Sequence, residues 1–210
     1  RRCGGSAAKL AEAWDDTRRE SIRGSIAAAD VPYADTLWQS TASALDAYAQ
    51  RWQQLHQEAC EATTVRGERS SELMVRQMAC LDRALVSLRA ASEVLAVADA
   101  EAVDHALDIV PDVSELSPCE DLEALQADVS PPAADEREEV RAIQALLAEA
   151  RAEHGAGHFE DAVRLSAQAR ERAVAVQHGP TKAEVAVTAG TVLRSGDRSE
   201  EAGQIGRAHV

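Results

Sequence analysis

His154 and His158 stand four apart, the spacing that sets two imidazoles on one face of a helix and could begin a metal site. Gly155 and Gly157 interrupt them and mark a turn instead, and no third ligand is spaced to complete a site. Asp15, Asp16 and Asp35 lie beside Trp14 and Tyr33, but Asp at a helix start is expected for capping and for the helix dipole. Serines and threonines abound without a paired His–Asp arrangement. The sequence therefore offers no catalytic, cofactor-binding or metal-ligating residue, and no cofactor is expected on this chain.

Cys3, Cys60, Cys80 and Cys119 form an even set without any C-x-x-C pairing, which disfavours zinc-ribbon and thioredoxin-like chemistry. Two disulfides would suit an oxidising compartment and admit three connectivities. The alternative is four reduced thiols, with Cys60 and Cys80 flanking a helix seam as small apolar residues. A Cys60–Cys80 bridge would require the two helices that carry them to be offset.

The elements that position these groups are helical. Trp38, Thr41, Leu45, Tyr48, Trp52, Leu55, Ala59 and Ala62 recur at gaps of three and four, as do Met74, Met78, Leu81, Leu85, Leu88, Ser92 and Leu95. Between the two series lies Thr63-Thr64-Val65-Arg66-Gly67, followed by Ser70 or Ser71 as an N-cap. The spacing predicts two helices, each about 35–40 Å long, forming an antiparallel hairpin. Leu10, Trp14, Ile22 and Ile26 predict one or two shorter covering helices that stop near Pro32. Asp99 can cap a helix through Val103, Ala106, Leu107 and Val110, and Ser117-Pro118-Cys119-Glu120 reads as a capping box opening a short helix at Leu122 and Leu125. Runs of β-branched residues bounded by turns are missing, so the class is all-α.

Pro131-Pro132 is the best linker, and beyond it the pattern changes. Ala150 and Ala162 return forty residues later as Gly190 and Ala202, each pair bracketing a turn-prone stretch, which is the mark of a stacked helical repeat. Ile143, Leu147 and Ala150 line the first helix, and Phe159, Ala162, Val163, Ser166 and Ala169 the second, with Phe159 expected to plug the gap between them. His178-Gly179-Pro180 is expected to end this unit and Thr181 to cap the next helix, in which Val185, Ala189, Gly190 and Leu193 face inward. The organisation is thus a hairpin domain over 1–130 and repeats over 131–204. Gln204 to Val210 back-translates to CAG ATC GGA AGA GCA CAC GTC, the start of a common short-read sequencing adapter, and 205–210 is read as an artefact.

The net charge of -14 is uneven: from Asp99 to Glu139 fourteen acids face one base, Arg137. Such a surface repels phosphate backbones and makes nucleic acid a poor partner. It reads as a solvated face or as a docking site for a basic partner. No run approaches the roughly 18 apolar residues of a membrane span.

Gly157, Phe159 and Ala162, with Ala150 upstream, resemble a tetratricopeptide repeat of the longer, forty-residue kind. From Cys3 to Cys119 a second likeness appears: Leu10, Trp14 and Asp15, Pro32-Tyr33, Leu45 to Tyr48, Glu58 to Thr63, Arg66 to Glu68, and Met78 to Leu81. These are similar to the region joining kinase and tetratricopeptide modules in large myxobacterial-type serine/threonine protein kinases. The resemblance implies a kinase domain N-terminal to Arg1, which would bind ATP and Mg, and more repeats beyond Gly203. It also implies a membrane span before a Cys like Cys3, placing this region outside the cytoplasm, with a cytoplasmic location as the alternative. No Gly-rich phosphate loop, His-Arg-Asp or Asp-Phe-Gly motif is present in the sequence, so no catalytic residue carries over. Thr63 or Thr64 could accept a phosphoryl group from the parent kinase, although nothing local specifies it. Two functions follow: a non-catalytic interaction and sensor module that binds protein partners through its repeats, or a passive spacer between kinase and repeat array.

Overall fold

The computed structural model describes residues 3–111, 113–126 and 131–195. The fold is all-α, with no strand among the described residues. It divides into two compact units, Arg1–Val129 and Ser130–Val210.

The first unit is built on α3 (Ala34–Thr64) and α4 (Ser71–Ala96). At 31 and 26 residues they span about 46 and 39 Å, so α3 exceeds the length expected from its apolar stripe because it starts a turn before Trp38. The connector turns at Gly67, whose φ of +66° is the left-handed conformation that glycine adopts without steric cost. There Glu68 N–H bonds back to the Ala62 carbonyl at 2.8 Å. The Ser70 hydroxyl then accepts from Leu73 N–H at 3.1 Å and starts α4. Tyr48 donates to the Ala84 carbonyl, and Trp52, one turn on, donates to the Leu81 carbonyl at 2.7 Å, so the two helices run in opposite directions.

Leu45, Tyr48, Trp52, Leu55, Leu81, Leu85 and Leu88 are buried along this seam. Three of the residues assigned to it by spacing are not. Trp38 is only half-buried near the start of α3. Met78, like Met74, is half-buried because the first turns of α4 face inward through Leu73 and Gln77. Gln77 is 2% exposed and hydrogen-bonded through both amide atoms: it donates to the Cys119 carbonyl at 2.9 Å and accepts from Arg69 at 3.1 Å. A polar side chain in a core slot hid the true stripe.

α1 (Ser6–Ala11) and α2 (Asp16–Ala28) pack on this pair, α2 against both long helices through Ile22 and Ile26. The Asp15 carboxylate caps α2 by accepting from Arg18 N–H at 2.8 Å. The remainder of the unit is a string of short helices: α5 (Ala100–Asp104), α6 (Ala106–Ile109), a 3₁₀ turn (Val113–Leu116), α7 (Ser117–Glu120) and α8 (Leu122–Gln126). Asp99 caps α5 by accepting from Ala102 N–H at 3.0 Å, but the helix breaks at His105, leaving Leu107 half exposed. Ser117 is no cap: the preceding 3₁₀ turn places Leu116 at that position, and it is Asp121 that accepts from Ala124 N–H to open α8.

The second unit comprises α9 (Arg137–Gly155), α10 (Phe159–Ala173) and α11 (Gly179–Ser195), each packed on the other two. Val140, Ile143, Leu147, Ala169, Ala173, Val176 and Val185 form its core. α11 begins at Gly179-Pro180, one turn earlier than read from sequence, because Pro fits the first turn of a helix where its missing N–H is not needed. Thr181 therefore lies inside α11, 2% exposed, its hydroxyl 2.8 Å from His178 Nδ1.

Candidate partner-binding surface

The four cysteines form two bridges, Cys3–Cys60 and Cys80–Cys119, with Cα separations of 5.7 and 5.5 Å. Each ties a flanking segment to one long helix, and Cys60 is not joined to Cys80. Cys80 and Cys119 are 7% and 2% exposed, whereas Cys3 and Cys60 are half-buried.

The repeat signature is only partly brought together. Ala150 and Ala162 are fully buried on adjacent helices, and Gly157 takes a φ of +86° in the turn between them. Phe159 does not plug the gap. It is the first residue of α10, 40% exposed, with its ring edge-on to His154 at 5.5 Å. A side chain at a helix N-terminus leans back over the preceding turn, toward the end of α9 and away from the core. Gly190 is not a point of close approach either, since a Cβ there would meet nothing within 4 Å. Ala202 and residues 205–210 lie outside the described residues.

The titratable groups singled out by spacing occupy structural positions. His158 Nδ1 lies 2.7 Å from Glu153 Oε2. His154 is partly buried, its Nε2 has no hydrogen-bond partner, and burial holds its pKa below the ordinary imidazole value. Among the described residues no three potential ligands converge on a metal position. Asp35 sits in the first turn of α3 and Asp16 in that of α2, where carboxylates favour the helix dipole. Thr64 donates to the Cys60 carbonyl at 2.8 Å.

Clefts in the two units differ in how their charged groups are engaged. In the first unit a cleft of about 390 Å³ holds Arg51 and Arg69, but both guanidiniums are engaged: Arg51 Nε donates to Glu120 at 3.1 Å, and Arg69 reaches Gln77 and Glu58. In the second unit a groove of about 580 Å³ runs between α10 and α11, lined by Ala167, Arg170, Glu171, Ala173, Val174, Lys182 and Val185. Its volume is in the range of sites that hold small ligands or peptide side chains. Ala173 and Val185 are buried in its floor and Val174 is 78% exposed. Neither Arg170 nor Lys182 has a carboxylate partner among the described residues. Sequence reasoning missed this groove because Arg170 and Lys182 belong to different helices, off the apolar stripes that define each one. The available signal was a base on either side of the His178-Gly179-Pro180 break.

No family model, curated relative or solved structure matches this chain. No helix among the described residues is long and apolar enough to cross a membrane.

Proposed function

We propose that the chain is a non-catalytic interaction region of a larger signalling protein, binding protein partners through its second unit and coupling them to a serine/threonine kinase domain elsewhere on the polypeptide. The observation that carries this reading is the groove between α10 and α11, an open surface where two cations without a carboxylate partner among the described residues adjoin exposed apolar area. The packing of α11 on both α9 and α10 at a forty-residue period supports a tetratricopeptide-like arrangement, in which successive helices present a continuous face to a ligand. The two disulfides support maturation in an oxidising compartment.

The test is capture followed by chemical cross-linking and mass spectrometry with the full chain as bait. A partner cross-linked to residues 131–195 is the expected result. A bait that enriches nothing over a heat-unfolded control would make the chain a spacer.

A further inference from the structure

Resting on the interaction reading above, we infer that the α10–α11 groove binds a short acidic peptide segment of a protein partner. Its carboxylates face Arg170 and Lys182, and an apolar side chain lies against Val174. Three other arginines of this unit are already paired. Arg151 holds Glu184 at 2.7 Å, Arg164 holds Asp161 at 2.7 Å, and Arg172 holds Glu139 at 2.6 Å. Arg170 and Lys182 line one groove and make no such pair among the described residues, so an incoming carboxylate gains an ion pair without breaking one.

The chain's overall charge fixes the size of the occupant. With a net charge of -14, a long polyanion such as a nucleic-acid backbone is repelled over its whole length. A segment with two or three carboxylates meets only the local field of the groove, where two bases outnumber Glu171. The exposed Val174 and the apolar floor at Ala173 and Val185 add an apolar contact that a free inorganic anion could not use.

The experiment is fluorescence anisotropy of the full chain with two pools of labelled hexapeptides, each peptide carrying one Leu and either three acidic or three lysine residues. The acidic pool is expected to bind, and more weakly as salt rises. Arg170→Ala with Lys182→Ala should weaken binding about tenfold, as expected for losing two exposed ion pairs. Arg170→Glu with Lys182→Glu should abolish it at unchanged far-UV circular dichroism. Equal binding of the lysine pool, no binding of the acidic pool, or indifference to charge reversal overturns the inference. Wild-type dimerisation abolished by charge reversal also overturns it, by making a second copy the occupant. If the charge-reversed chain still captures a partner through residues 131–195, this inference fails while the interaction reading stands. If neither chain captures anything, the interaction reading itself fails.

Discussion

Removing each disulfide should cost nearly the same stability, yet the two bridges should open to reductant in a fixed order. Sequence separations of 39 for Cys80–Cys119 and 57 for Cys3–Cys60 correspond, in the chain-entropy account, to about 3.9 and 4.2 kcal/mol. The loops do not overlap, so the two contributions are independent to first order. With a urea dependence of about 2 kcal/mol per M, either Cys80→Ala with Cys119→Ala or Cys3→Ala with Cys60→Ala should lower the midpoint of the first unit by about 2 M. Trp14, Trp38 and Trp52 are the chain's three tryptophans and all lie in the first unit, so intrinsic fluorescence reads that transition alone. Access differs where entropy does not. Cys80 and Cys119 are buried, whereas a thiolate reductant can approach the half-buried Cys3–Cys60 pair. Graded reduction with alkylation and mass spectrometry should label Cys3 and Cys60 first. A midpoint shift below about 0.5 M for either pair refutes the entropic argument, and earlier labelling of Cys80 and Cys119 refutes the burial argument.

Three further outcomes are expected. Burial first, and then Lys9, hold the His56 pKa below the ordinary imidazole value, while nearby Asp82 opposes them. The unfolded chain therefore binds the extra proton first, and stability of the first unit should fall as pH drops through about 6.5 toward the native value. His56→Gln should flatten that slope in fluorescence-detected melts, and an unchanged slope would remove His56 as its source. Gly190→Ala, at a helical position with open space around it, should stabilise the second unit by about 0.5–1 kcal/mol. Ala150→Leu should destabilise it by about 1–3 kcal/mol by overpacking a fully buried site. Differential scanning calorimetry of the pair tests this, and a destabilising Gly190→Ala would restore Gly190 as a contact point. Asp46 accepts from Trp14 Nε1 at 2.9 Å and from Arg19, whose guanidinium lies over the Trp14 ring. Asp46→Ala should therefore cost about 1–3 kcal/mol, with a red shift of fluorescence as the indole N–H loses its partner.

What the sequence revealed follows from what a helical period encodes. The stripe in α3 from Leu45 to Ala62 is legible because its inward positions, His56 apart, are apolar or small. The stripe in α4 slips by one residue at its start because Gln77, a core residue, is polar, and its partners, Arg69 and the Cys119 carbonyl, come from outside α4. Phe159 and Gly190 were placed by analogy between helix pairs. Analogy supplies spacing but not the direction in which a residue at a helix end points. The disulfide pairing was open for the same reason: Cys3 and Cys119 sit in segments whose path over the long helices no local pattern specifies. Arg170 and Lys182 meet only once α10 and α11 are packed.

The two units solve their stability problem in different ways, and this bears on where a partner can bind. In the first, segments of four to six residues are too short to hold helical structure alone. They are fixed by groups on the long helices: Arg76 donates to the Leu125 carbonyl at 3.1 Å, Gln77 to that of Cys119, and Arg51 grips Glu120, all beside the Cys80–Cys119 bridge. Those polar groups are consumed in holding the unit closed. In the second, α9, α10 and α11 are 19, 15 and 17 residues long and bury continuous apolar faces against one another, so charged side chains such as Arg170 and Lys182 are not needed for folding. Charge reversal at those two positions should leave the melting of the second unit unchanged while altering what it binds, whereas reversal of Arg51 or Arg76 should unfold part of the first.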